Sequence, residues 1–301
     1  EGWRFFFKSE KTSDNARHVT LPHSWNTDPL AQGYWLETTG SYQNGMYIPV
    51  EWASKRLFVK FYGVQSVADL FVNGYHVGTH RGGATAFTFE ITDKIRFGSD
   101  NSMLVVVSNS SRDDVLPTST DMNLYGGIYR DISLMVVSKN HIALGHFGDT
   151  GVKITPALKD GKADIRVETL VEGEGAVSVE LQDAAGSIVA RAEGADAQLH
   201  LDAPHLWDGV KDPYLYTCVV RLSSDGTVVD EVSTRVGLRT FSVDAKKGFF
   251  LNGRPYPLHG VSRHQDRKGV GNAITREMHD EDMALIRELG ANTIRLAHYQ
   301  H

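Results

Sequence analysis

Residues 255–301 read strand, helix, strand. From Arg276 to Leu289 the apolar residues Met278, Leu285, Ile286 and Leu289 fall at offsets 0, 7, 8 and 11, which is one face of a helix. Thr275 stands where an N-cap belongs. Glu277, Asp280, Glu281 and Asp282 crowd the N-terminal half, where the helix dipole favours acids, and Gly290 suits the C-terminal stop. The flanking stretches YPLHGVS and NTIRLAH read as strands, with Thr293, Ile294, Leu296 and Ala297 expected to be buried. Two strands joined by a helical crossover pair in parallel, and parallel sheets are covered on both faces. This segment therefore opens a larger α/β domain.

Everything before it follows a period of two. RLFVKFYGV alternates and is rich in Phe, Val and Tyr; TAFTFEI, SMLVVVS and DISLMVV are further strands. Asn73-Gly74 splits two apolar stretches, which is the strongest short-range hairpin signal. Residues 1–138 are thus expected to form a sandwich of two antiparallel sheets. Residues 139–242 repeat the style in ADIRVETLV, VSVELQD, YLYTCVVRL and TVVDEVSTRVG, with Asp225-Gly226 as a turn. About a hundred residues with that spacing fit an immunoglobulin-like sandwich. Asn252-Gly253 marks one more small hairpin, and residues 243–301 hold the α/β opening.

Composition narrows the function classes. The formal net charge of -6 and pI near 6.1 exclude the basic stripe of a nucleic-acid binder. No apolar run is long enough to span a membrane. Cys218 is the only cysteine, so neither an intrachain disulfide nor a cysteine zinc site is available, and its place in YLYTCVVRL suggests an inert strand residue. His259, His264 and Asp266 have no standard metal-site spacing, and His298 with His301 makes a poor ligand pair on a strand end. Gly82-Gly83 lacks the lysine and helix of a phosphate loop and reads as a turn or bulge. The chain begins at Glu1, which leaves periplasmic, secreted and cytoplasmic locations open.

Seven stretches then carry a resemblance: LPHSW, FVNGYHVGTHRGG, DMNLYGGIYRDI, LWDGVKDPYLY, VGLRTF, FFLNGRPYPLHGVSRHQD and IRELGANTIRLAHYQH. In this order and spacing they resemble the N-terminal part of glycoside hydrolase family 2, which includes β-galactosidases, β-glucuronidases and β-mannosidases. The resemblance implies a jelly-roll sugar-binding domain, an immunoglobulin-like domain and a (β/α)₈ barrel. YPLHGVS and NTIRLAH would be the first two barrel strands of eight. The family's acid/base and nucleophile glutamates lie on later strands, so no residue here takes those roles. Its site Mg²⁺ is likewise bound by residues further along, and no other cofactor is implied.

The resemblance also assigns binding residues. Asp121 would accept hydrogen bonds from sugar hydroxyls, as a carboxylate can from two neighbours at once; the plain alternative is an Asp holding its own turn. His298 would bond sugar hydroxyls at a strand's C-terminal end, where barrels build their sites, against the alternative of a wall residue. Gln300 stands where the family usually has proline. Arg295 would orient the nucleophile and keep it ionised, a role that overlaps with an internal ion pair. Arg263 and His264, with Asp266 close by, are expected near the mouth as supporting residues. Gly126-Gly127 would serve a backbone turn and Arg130 an ion pair. The leading functional expectation is a retaining, exo-acting β-galactosidase acting on a β-galactoside, with a homo-oligomer compatible with it. The alternatives are a β-glucuronidase or β-mannosidase of the same family, or a non-catalytic carbohydrate-binding module.

Overall fold

The computed structural model describes residues 2–10, 15–27, 36–116, 125–145 and 148–300. They divide into two compact units, one of residues 1–136, 262–289 and 295–301, the other of residues 137–261 and 290–294.

The first unit is built on β1 (Trp3–Phe7), β2 (Arg17–Val19), β3 (Thr39–Ile48), β4 (Arg56–Phe61), β5 (Val67–Val72), β6 (Tyr75–Arg81), β7 (Phe87–Glu90), β8 (Ser99–Ser108) and β9 (Ile132–Val137). One sheet runs β2-β1-β3-β8-β5-β6 and the other β7-β4-β9. Strand alternation places Phe5, Tyr42, Leu57, Phe61, Leu70 and Val105 in one buried core. Asn73 and Gly74 both have positive φ, 52° and 84°, as the two-residue turn between β5 and β6 requires. Gly82, with φ 128°, lies in the bend that ends β6.

The second unit carries β10 (His141–Ile142), β11 (Val152–Lys159), β12 (Lys162–Thr169), β13 (Val171–Glu172), β14 (Ala176–Gln182), β15 (Ile188–Glu193), β16 (Asp196–Leu201), β17 (Tyr216–Ser224) and β18 (Thr227–Val236). Its sheets are β11-β12-β16 and β15-β14-β17-β18, beside the small pair β10-β13. Ile165, Leu181, Leu199, Cys218 and Val220 fill the core. Burial pushes the Cys218 thiol up to about 11, which makes it the inert residue its strand implied. A three-stranded sheet follows: β19 (Phe241–Asp244), β20 (Gly248–Leu251) and β21 (Arg254–Pro255). The 206–212 loop anchors it, through Asn252 Nδ2 on Trp207 O at 3.0 Å and Arg254 Nη2 on Asp208 at 2.7 Å.

The chain closes with β22 (Gly260–His264), α1 (Arg276–Glu288) and β23 (Thr293–Ala297). Thr275 caps α1, its Oγ1 accepting from Met278 N at 3.4 Å, and Gly290 takes φ 78° after the helix. β22 and β23 are sheet neighbours. Their starts meet, since Asn292 N donates to His259 O at 2.9 Å. Their ends meet too, at His264 and His298, so the pair is parallel. β22 begins only at Gly260, later than YPLHGVS suggests, and Pro257 within that stretch brings no N–H to a ladder. Burial also departs from expectation. Ala297 is buried, but Leu296 is 42% exposed, and Leu285 on α1 and Leu289 at its C-cap are 57% and 73% exposed.

Candidate functional site

The segment 125–130 is threaded between two others. Trp25 N donates to Gly126 O at 3.0 Å, His23 N to Ile128 O at 2.8 Å, and Gln65 N to Gly127 O at 3.0 Å. The glycines of this motif are needed for close approach. A Cβ on Gly126 would lie 2.1 Å from the Trp25 ring, and one on Gly127 would lie 2.3 Å from His23 O at a φ of 134°. Behind them His23 Nδ1 meets Tyr42 Oη at 2.7 Å. Burial, with Arg17 adding to it, lowers the His23 pKa to about 4, so the ring is neutral. Tyr129 Oη donates to Gly83 O at 2.6 Å, and its own burial raises its pKa.

Arg130 reaches from this segment to both strand ends. Its Nη2 donates to Gln265 Oε1 at 2.9 Å and to the carbonyl of Gln300, and its Nη1 donates to Tyr62 O at 3.3 Å. The guanidinium also lies 5.1 Å from the centroid of the Tyr129 ring. The sequence assigns Arg130 an ion pair; among the described residues its hydrogen-bond partners are neutral oxygens. Three converging acceptors suit a planar fork of donors, which a single carboxylate would not fill. The nearby Asp266 carboxylate instead accepts from Tyr125 Oη at 3.4 Å.

At those strand ends stand His264, Arg295 and His298, all exposed. Arg295 Nη2 lies 3.1 Å from His298 Nδ1. A guanidinium only donates, so Nδ1 accepts and the His298 proton sits on Nε2, free to donate outward. The His264 and His298 rings meet edge to face, 5.2 Å between centroids. Of the expected set, the structure therefore gathers His264, Arg295 and His298.

It places Arg263 elsewhere. Arg263 is buried, and its Nε and Nη2 hold Asp282 of α1 at 2.9 and 2.5 Å. Side chains alternate along a strand, so when His264 faces the mouth, Arg263 faces the helix. Asp121 and His301 lie outside the described residues. Among the described residues no three His, Cys, Asp or Glu side chains converge as a metal site. Gln265 and Gln300, which Arg130 grips, carry no functional signal in the sequence. Only the run of matches around Arg130 pointed toward them.

Comparison with known proteins decides the family. The model of the "Glycosyl hydrolases family 2, sugar binding domain" matches residues 13–138, that of "Glycosyl hydrolases family 2" residues 146–239, and that of its "TIM barrel domain" residues 242–301. The chain belongs to glycoside hydrolase family 2. Its first sandwich is the family's jelly roll, its second the immunoglobulin-like domain, and β22-α1-β23 the start of the barrel. A β-glucuronidase of Bacteroides fragilis is 40% identical over 99% of the chain and 45% of its own length. A β-galactosidase of Thermoanaerobacter pseudethanolicus is 30% identical over 97% of the chain and 41% of its own length. The crystal structure of an FMN-binding β-glucuronidase from Facaelibacterium prausnitzii L2-6 superposes with a TM-score of 0.94 at 38% identity, over all of the chain and 48% of that one. This family 2 chain thus spans less than half the length of each of these three relatives.

Proposed function

We propose that this chain is the N-terminal part of a retaining, exo-acting β-glycosidase, with a terminal β-glucuronide as substrate. The observation that carries the glycosidase reading is the Arg295-His298 pair at the end of β23, beside His264 at the end of β22. A barrel presents its site at these strand ends. There His298 Nε2 can donate to a sugar hydroxyl, and the family resemblance adds Asp121 as a complementary acceptor in the same reading. Retaining hydrolysis needs two carboxyl groups about 5 to 5.5 Å apart across the scissile bond. In this reading later barrel strands bring them, and the present residues bind and orient the sugar. A non-catalytic binding module has no use for the parallel β22-α1-β23 unit.

The glucuronide is favoured by the 40% identical relative, and a β-galactoside is the second reading, favoured by the 30% identical one. The test is turnover of 4-nitrophenyl β-D-glucuronide and β-D-galactoside by the protein that contains this chain. Preference for the glucuronide is expected. Preference for the galactoside would replace the substrate, and inertness toward both, and toward the β-mannoside, would overturn the glycosidase.

A further inference from the structure

We propose that Arg130 is a positioning residue for the sugar pocket: anchored in the jelly roll, it sets the spacing of the strand ends that carry His264 and His298. The inference rests on the glycosidase reading above. Three observations point to it. First, the two groups that Nη2 grips, Gln265 Oε1 and Gln300 O, follow His264 by one residue and His298 by two. One cation thus ties both neighbours of the site at once. Second, the cation is itself fixed on the other side. Nη1 donates to Tyr62 O, the ring of Tyr129 lies against it, and Tyr129 is pinned through Gly83 O. Third, the grip on the β22 side is rigid. Gln265 is buried, and its Nε2 donates on to Asn272 O at 3.2 Å. The hydrogen bonds of Arg130 go to Tyr62 O, Gln265 and Gln300 O and not to His264 or His298, so it acts through the backbone and Gln265 rather than on the sugar.

The expected consequence is a loss in kcat. Misplacing a pocket group by about 1 Å can lower the rate by roughly 10²-fold, whereas sugar affinity is shared among many contacts. A lysine cannot replace the residue, because a single ammonium does not span three acceptors that a planar fork reaches.

The experiment uses the protein that contains this chain, assayed on its preferred nitrophenyl glycoside well below the melting temperature. Arg130→Ala is expected to lower kcat by roughly 10²-fold with KM within about three-fold. Arg130→Lys, which keeps the charge and most of the volume, is expected to lower kcat by about ten-fold. Ethylguanidinium added to Arg130→Ala should recover part of the lost kcat, since it refills the same acceptors. Variants that keep kcat within about three-fold of the parent overturn the proposal. So does a loss that tracks unfolding in both variants and that ethylguanidinium does not recover. If Arg130→Ala fails to fold, the kcat of Arg130→Lys decides alone. A parent protein inert toward every glycoside overturns the functional reading as well; an active parent with insensitive variants overturns only this inference.

Discussion

His23 shows how one residue can link fold and pH. Its ring is neutral in the folded chain because burial lowers its pKa from 6.5 to about 4. Between those values the unfolded chain binds a proton that the folded chain refuses. Stability therefore falls as pH drops from about 6.5 to about 4 and levels off below, a total on the order of 3 kcal/mol for a shift of this size. Denaturant unfolding at pH 7, 5.5 and 4.5 should show this slope, and His23→Gln should remove that part of it. A variant whose pH dependence equals the parent's would mean His23 is protonated without cost in the fold. Legibility at this scale followed chemistry. His298 could be set at a strand's end because that end is written in NTIRLAH, and Arg295 beside it because the family resemblance implied it. The partner of Arg263 could not, because whether a strand arginine meets sugar or helix depends on which face α1 covers. Asp282 settles that in space, nineteen residues further on.

Elements were legible where a local signal fixes them. Asn73-Gly74, Asp225-Gly226 and Asn252-Gly253 all take positive φ at both positions, as their sequence demands in two-residue turns. α1 begins at its predicted cap. β3 was not among the strands read from the sequence: TGSYQNGMYI has two glycines and the four polar residues Thr39, Ser41, Gln43 and Asn44, which dilute the strand signal. It is nonetheless a ten-residue strand at the centre of the large sheet, between β1 and β8. Tertiary packing is the reason. A Cβ on Gly40 would lie 2.6 Å from the Phe5 ring and 2.9 Å from the Trp25 ring, so the glycine is what lets two aromatics close on the strand. Gly40→Ala is expected to destabilise the jelly roll by about 1–3 kcal/mol, as overpacking of a filled core does. Thermal melts check it, and an unchanged melting temperature would show that Phe5 and Trp25 can yield at little cost.

At the scale of the whole molecule, the two sandwiches have complete cores, while the barrel opening has tied strand ends and bare sides. A polypeptide of these 301 residues is expected to show no turnover of nitrophenyl glycosides, because His298, Arg295 and His264 cannot replace a nucleophilic carboxylate and an acid/base pair. Turnover near that of a full family member would place the catalytic carboxyls within this chain. The exposed side chains allow a separate test of the barrel itself. Leu285 on α1 and Leu289 at its C-cap stand 57% and 73% exposed. Substitutions at exposed positions usually stay within about 0.5 kcal/mol, so Leu285→Lys with Leu289→Lys should leave the stability of the 301-residue polypeptide nearly unchanged. The new lysines also suit the C-terminal turns of a helix. In a longer protein whose barrel continues past His301, further helices would cover this face. Each leucine would then be buried at a gain of about 1.5–3 kcal/mol, and the same pair of substitutions should destabilise that protein by several-fold more. Denaturant unfolding of the two polypeptides, each with and without the substitutions, measures the contrast. Equal and small effects in both would show that the Leu285-Leu289 face stays open to solvent even in the complete barrel.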